Sequence, residues 1–257
     1  MTDQFQMQRD GMERRRGGAS PVQYHPGDDL LVAYAAGSLP EAMSLIVATH
    51  LALCPHCRAE VRRLEAVGGA LLEEMPAAPV SDALLDAVMA RLDAPGGDTL
   101  LAPPPAAGLR GTRATATRSA AAGAIRRTAT APVLPEPLRS YVGRDLGGLS
   151  WTRIVRGVEE VMVPCGGDAK VKLMRIHPGI AVPRHTHRGS ELTLVLQGGY
   201  RDGGLHYLRG DFAATDAEVD HGPVADSDGE CICIAVTDAP LRLTGPFGRL
   251  LNPFIRS

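Results

Sequence analysis

Apolar residues recur at helical intervals through the first third of the chain. The spacing predicts four helices, over residues 28–39, 41–54, 55–75 and 82–93. Pro40 precedes the second helix, where proline suits a helix start, and Ser81 is a candidate N-cap for the fourth. A small all-α domain is therefore expected in this part of the chain.

The pattern changes after about Pro135 to short apolar runs set off by Gly, Pro or Asp. Strands are predicted in the segments KVKLMRIHPG, ELTLVLQGGY, HYLRGDFAA and ECICIAVTD. Many short strands at even spacing are typical of a sandwich or a small barrel. The second domain is therefore expected to be all-β.

Residues 94–134 lie between the helical and the strand-like regions. They are dominated by Ala, Thr, Pro, Gly and Arg, with little apolar periodicity. Such a composition is typical of a linker. The predicted organisation is a multi-domain α and β chain: a flexible tail over 1–21, a helical domain over 22–93, a flexible linker over 94–134 and a β domain over 135–257.

Charge and hydropathy exclude several classes of function. Residues 1–95 contain 8 Lys and Arg against 13 Asp and Glu, a net charge of −5, which argues against direct DNA binding. No apolar run reaches the roughly 18 residues of a membrane span, and the polar N-terminus does not resemble a secretory signal. We therefore expect a cytoplasmic protein with no membrane association, whose five cysteines are kept reduced.

A first candidate metal site lies in the helical domain, in the pattern H-x24-H-x3-C-x2-C formed by His25, His50, Cys54 and Cys57. His50 and Cys54 share one helix face, and Cys57 falls in the first turn of the next helix. His25 lies before the first helix and can fold back onto them. Two thiolates and two imidazoles suit tetrahedral zinc. His56 is left out because it points away from the His50 face.

A second candidate metal site lies in the β domain. The pattern G-x5-H-x-H-x3-E-x6-G contains the ligand types His185, His187 and Glu191, and the two histidines share one face of a strand. This pattern resembles the first motif of the cupins, which implies a barrel. A second cupin motif is expected to supply His221, although the Pro and Gly that normally precede that histidine are absent. Three imidazoles and a carboxylate suit zinc, iron, manganese or nickel.

Together the two halves resemble the ChrR-type zinc-binding anti-sigma factors, in which a zinc-binding helical domain precedes a cupin. The resemblance implies that the helical domain sequesters an extracytoplasmic-function sigma factor and suffices to hold it. It also implies zinc in the cupin and release of the sigma factor in response to singlet oxygen or organic peroxide sensed there. On this resemblance the protein is a regulator rather than an enzyme.

Two other functions remain open from the residues alone. The barrel could be a dioxygenase-like metalloenzyme, although that function leaves the zinc domain without a role. A DNA-binding regulator is disfavoured by the acidic helical domain. Cys231 and Cys233 share one strand face and are either ordinary buried residues or oxidant sensors near the metal, and Cys165 is expected in a turn.

Overall fold

The computed structural model describes residues 22–81, 83–93 and 133–244. Within these ranges the helices are α1 (Asp28–Ala35), α2 (Glu41–Leu53), α3 (Pro55–Glu73), α4 (Ala83–Asp93) and α5 (Glu136–Val142). The first four confirm the predicted helices. Helix α1 stops short of residue 39 because Gly37 adopts a φ of +66°, a left-handed conformation that ends helices. Helix α5 was not predicted from the sequence.

The β domain contains a set of short strands, as predicted. They are β1 (Thr152–Val155), β2 (Val158–Val163), β3 (Lys170–Ile176), β4 (His185–His187), β5 (Glu191–Gln197), β6 (Gly199–Asp202), β7 (Leu205–Leu208), β8 (Phe212–Thr215), β9 (Val224–Ala225), β10 (Cys231–Thr237) and β11 (Leu241–Leu243). Strands β1 and β2 were not predicted from the sequence, because the run TRIVRGVEEVMV is interrupted by charged residues.

The strands form three antiparallel sheets. The largest has the order β1-β2-β3-β10-β5-β8, a second has the order β7-β6-β9, and β4 pairs with β11. Two isolated bridges lie outside the named strands, and one of them joins His185 to His221. This bridge places two of the candidate metal ligands opposite each other.

The central strand β10 is buried along its whole length. One core cluster contains Ile232, Ile234 and Val236 of this strand. Cys231 belongs to a second cluster, which includes Val195. Because side chains alternate across a strand, the six-stranded sheet has apolar material on both faces. The face carrying Cys231 lines the interior of the β domain.

Helix α2 packs on the opposite face of this sheet. Ala42, Leu45 and Ile46 belong to the same core cluster as Leu194 and Ile234 of the β domain. On its other side α2 contributes Val47 and Leu51 to a smaller cluster around Cys54 and Cys57. Helix α2, which carries His50, and the β domain therefore share one hydrophobic core.

The chain divides into two compact units, one over Met1–Gly68 with Thr130–Ser257 and one over Gly69–Ala129. The predicted tail over 1–21 and nearly all of the predicted linker lie outside the described residues. No helix among the described residues combines the length and the apolar character needed to cross a membrane.

Candidate metal centres

The first candidate centre is assembled by three segments around the end of α2. His50 lies in the last turn of α2, and the amide of Cys54 donates to the His50 carbonyl at 2.8 Å. Pro55 begins α3, which places Cys57 in its first turn. His25 arrives from the extended segment before α1, with Nδ1 at 3.4 Å from Sγ of Cys54 and 3.3 Å from Sγ of Cys57.

The spacing of these donor atoms suits a tetrahedral metal. The four donor atoms lie within 4.8 Å of one another, and all four residues are buried. Ligands held about 2.0–2.3 Å from zinc in a tetrahedron lie about 3.3–3.8 Å apart, which matches the distances from His25 to the two sulfurs. The structure thus brings together all four residues that the sequence singled out in this domain.

Two further features favour a metal at this position. Nδ1 of His50 must carry the proton, because it lies 3.0 Å from the carbonyl oxygen of Gly210, which can only accept. Nε2 of His50 is buried and has no hydrogen-bond partner, so its lone pair is free for a metal. Hydrogen bonds from Cys57, and then from His25, hold the pKa of Cys54 well below its usual range against the opposing effect of burial.

His56 lies close to this cluster without joining it. Its ring centroid is 5.4 Å from that of His25, and its Nε2 is buried without a hydrogen-bond partner. His56 is nevertheless absent from the set of converging donor atoms in the described part of the chain. The structure therefore gives no reason to add it to the candidate ligands.

The second candidate centre lies inside the β domain. Both histidines of β4 are buried, Glu191 begins β5, and His221 exchanges two backbone hydrogen bonds with His185, at 2.9 and 3.0 Å. Nε2 of His187 lies 3.2 Å from Oε2 of Glu191 and 3.3 Å from Nε2 of His221. The structure therefore brings together all four ligands predicted for the β domain, including His221.

Two of these imidazoles are oriented by hydrogen bonds on their far side. Nδ1 of His185 donates to the carbonyl of Pro183, and Nδ1 of His221 donates to Asp202, both at 2.8 Å. Both Nε2 atoms are then unprotonated, and their lone pairs are available to a metal at the centre. This arrangement is found around metal-bound histidines. Asp202 was missed from the sequence because only strand pairing brings it to His221, which lies 19 positions further along the chain.

The protonation states of His185 and Glu191 also suit a metal. Burial, followed by the nearby His221, lowers the pKa of His185 to about 4, which keeps its imidazole neutral. Burial raises the pKa of Glu191, but hydrogen bonding to His187 and the other histidines outweighs it and lowers the pKa to about 2. Burial also lowers the pKa of His221, yet its bond to Asp202 raises it overall.

The remaining cysteines differ in their surroundings. Cys231 and Cys233 are both buried. A hydrogen bond to Cys231, then burial and the charge of Glu191, raise the pKa of Cys233. Cys165 is half-buried, and burial together with Glu41 raises its pKa to about 11. Raised pKa values keep Cys165 and Cys233 as thiols, which react slowly.

A cavity of about 250 Å³ lies beside the second centre. Its lining includes His221 and Asp202 together with two arginines, Arg184 and Arg201. A small molecule in this cavity would therefore contact one of the candidate ligands directly.

Fold and sites together fit a protein with two metal centres, because a His2Cys2 cluster lies on the helices and a His3Glu cluster lies in the β domain. Residues 28–58 match the family model described as "Putative zinc-finger", and residues 142–240 match that of the ChrR Cupin-like domain. The chain is 43% identical to the anti-sigma-E factor ChrR of Cereibacter sphaeroides over 235 residues, covering 91% of this chain and 99% of that protein. This chain belongs to the ChrR family.

A solved structure gives the same relationship. The chain is similar to the crystal structure of Rhodobacter sphaeroides SigE in complex with the anti-sigma ChrR, with a TM-score of 0.67 and 41% sequence identity. The match covers 84% of this chain and 99% of the other chain. The likeness thus extends over both the helical part and the β domain.

Proposed function

We propose that this chain is an anti-sigma factor that binds an extracytoplasmic-function sigma factor and keeps it from core RNA polymerase. The observation that carries the proposal is the 43% identity to an anti-sigma factor over 91% of the chain. A similar protein has been crystallised with SigE. The β-domain cluster lies wholly within its family match, and every member of the helical cluster except His25 lies within the zinc-finger match.

The exposed apolar surface of the helices supports a protein partner. The second half of α3 and the segment after it expose Val67, Leu71, Leu72, Met75 and Val80, and α4 exposes Leu84, Leu85, Val88, Met89 and Leu92. Exposed apolar residues in such numbers mark interaction surfaces. An amphipathic helix such as α4 is suited to lie in an apolar groove of a partner.

We further propose that His25, His50, Cys54 and Cys57 hold a zinc ion. Zinc at this position supplies a cross-link between the segment before α1 and the junction of α2 and α3, and so adds to the stability of a small helical domain. In the β domain we assign His185, His187, Glu191 and His221 as ligands of a second ion, zinc by family resemblance, with iron, manganese or nickel compatible with the donor set.

Release of the sigma factor is proposed to begin in the β domain, on exposure to singlet oxygen or organic peroxide. The cavity beside His221 supports access of a small oxidant to one of the candidate ligands. A change there would weaken the hold of the helices on the sigma factor. A loss of about 3 kcal/mol in binding free energy would weaken binding roughly 100-fold.

We propose that the chain consists of a tail up to residue 21, a helical domain over 22–93, a linker over 94–134 and a β domain from residue 135. We also propose that the protein works in the cytoplasm, without catalysing a reaction of its own, as its ChrR relative suggests. Turnover of a small substrate by the iron-, manganese- or nickel-loaded protein would contradict the last point.

The test uses the full chain, co-expressed with an extracytoplasmic-function sigma factor encoded in the same genome. We expect a one-to-one complex with metal bound, which the double variant Cys54→Ser/Cys57→Ser fails to form. The matched control is Cys165→Ser, which removes a thiol outside both clusters and is expected to leave the complex intact. If the metal-loaded chain binds none of the sigma factors of that genome, the proposal is wrong.

A further inference from the structure

We propose that the β7–β8 turn of the β domain, at Gly210 and Asp211, positions two of the four ligands of the helical metal centre, His25 and His50. The β domain would then fix the positions of these two ligands and so affect how tightly the helical centre retains its metal. This inference rests on the proposed metal-binding role of the His2Cys2 cluster.

Asp211 fixes the segment that carries His25. Its side chain is 1% exposed, and Oδ1 accepts hydrogen bonds from the amides of Gln23 at 2.6 Å and Tyr24 at 3.0 Å. Its other oxygen accepts from the amide of Leu208 at 2.8 Å, within the same turn. One buried carboxylate thus ties the β domain to the two residues that immediately precede His25.

The backbone next to Asp211 adds a second tie to the same segment. The amide of Phe212 donates to the carbonyl of Tyr24 at 3.1 Å. The ring of Tyr24 also packs on that of Tyr207, with centroids 4.8 Å apart. Both flanks of the turn therefore contact the residue before His25, and His25 has little freedom to move away from the two sulfurs.

Gly210 orients the second ligand. Its carbonyl accepts the Nδ1 hydrogen of His50 at 3.0 Å, which leaves the buried Nε2 of that ring as the atom that can bind metal. A carbonyl partner of this kind sets the tautomer and ring angle of a metal-bound histidine. Here the partner comes from the β domain, 160 positions away in the sequence.

The turn also requires a glycine at this position. Gly210 has a φ of +93°, and a Cβ placed on it would lie 2.6 Å from Cγ2 of Val22. Val22 is buried and lies three residues before His25. A larger residue at 210 would strain the turn and push on the segment that carries the ligand.

Asp145 offers a matched control within the same compact unit. Its carboxylate likewise accepts two backbone hydrogen bonds, from Val133 at 3.1 Å and Leu134 at 3.0 Å. These partners lie at the end of the predicted linker, directly before the β domain, and carry no candidate ligand. Loss of the Asp145 carboxylate should therefore lower stability without a selective effect on the helical metal centre.

The test loads the full chain with Co²⁺ and follows the thiolate-to-cobalt charge-transfer band under challenge with a chelator. Only the helical centre contains thiolate ligands, so the band reports that centre alone. Total cobalt, less the amount that the band accounts for, reports the β-domain centre. We expect Asp211→Ala and Gly210→Ala to lose the band about 10- to 100-fold faster than wild type, in proportion to the loss of metal affinity found when residues that support metal ligands are mutated. Asp145→Ala is expected to match wild type.

If Asp211→Ala does not fold, Asp211→Asn replaces it, since the amide keeps the shape of the side chain and cannot accept all three hydrogen bonds. Wild-type rates in both the Gly210 and the Asp211 variants would overturn the inference, as would equally fast loss in Asp145→Ala. A wild-type protein with no charge-transfer band would overturn the metal assignment itself, a result distinct from failure of the positioning role.

Discussion

Asp202 accepts a hydrogen bond from Nδ1 of His221 at 2.8 Å, with both side chains buried inside the β domain. The carboxylate fixes the His221 ring so that Nε2 points at His187 and Glu191. We predict that Asp202→Ala weakens metal binding at the β-domain centre about 10- to 100-fold. Competition with a chelator of known affinity measures this change.

The control for Asp202 is a second carboxylate–imidazole pair in the same domain. Asp226 accepts from Nε2 of His206 at 2.7 Å, and His206 is not among the converging donor residues. Asp226→Ala should leave the metal affinity of the β domain unchanged. An equal loss in both variants would mean that Asp202 acts only through general stability.

The exposed stripe of α4 is predicted to bind the sigma factor. Leu85 is 69% exposed and Val88 is 46% exposed, so a charge at either position should cost little in the free chain, within about 0.5 kcal/mol. In the complex we expect Leu85→Asp and Val88→Asp each to cost about 2 kcal/mol, roughly 30-fold in affinity.

Titration calorimetry measures the affinity for the sigma factor. Thermal melting of the free chain measures the stability of each variant. Asp86→Ala alters a charged residue of the same helix and should change the affinity far less. Wild-type affinity in both apolar variants would exclude α4 from the interface.

The shared core predicts that the helices and the β domain unfold together. Ile46 of α2 is fully buried in the core cluster that also contains Leu194 of β5. Truncation of a buried side chain of this size costs about 2–5 kcal/mol, so Ile46→Ala should lower the free energy of unfolding by that amount.

Two probes distinguish joint from separate unfolding. The fluorescence of the single tryptophan, Trp151, reports the β-domain side of this core, and far-ultraviolet circular dichroism reports the helices. We expect Ile46→Ala to shift both denaturant midpoints equally, whereas Leu71→Ala, at a site 62% exposed, shifts neither. A shift confined to the helical signal would contradict the shared core.

His185 predicts a pH dependence of the metal-free protein. Burial and His221 lower its pKa from the usual 6.5 to about 4, so the unfolded chain takes up this proton before the folded chain does. Its contribution to stability is present above about pH 6.5 and is lost as the pH falls from there to about 4.

The measurement is the free energy of unfolding against pH for wild type and His185→Gln. The wild type should lose more stability than the variant over that interval, while His177→Gln, at an exposed position, follows the wild type. Parallel curves for wild type and His185→Gln would contradict the assignment of this titration to His185.

The candidate ligands could be found from the sequence because their spacing is local. His50, Cys54 and Cys57 lie around one helix junction, and His185 and His187 lie on one strand, so helix and strand periods suffice to place each set on one face. His221 could be proposed only from the resemblance to the cupins. Its backbone bridge to His185 gives the physical basis for its position.

The supporting residues could not be found in this way. Asp202 and Asp211 act through strand pairing and through contacts with a segment almost 190 positions away, and no period in the sequence encodes either relation. The packing of α2 on the β domain was also missed, because the linker composition of residues 94–134 suggested two independent halves. The apolar side chains on two sides of α2, Leu45 and Val47, were the available signal.

The most direct test of the central claim is transcription in vitro by core RNA polymerase and the proposed sigma partner, titrated with the full metal-loaded chain. The account predicts that transcription falls to background at about one chain per sigma factor, and that the Cys54→Ser/Cys57→Ser variant leaves it unaffected. Undiminished transcription at a molar excess of the metal-loaded wild-type chain would contradict the assignment as an anti-sigma factor.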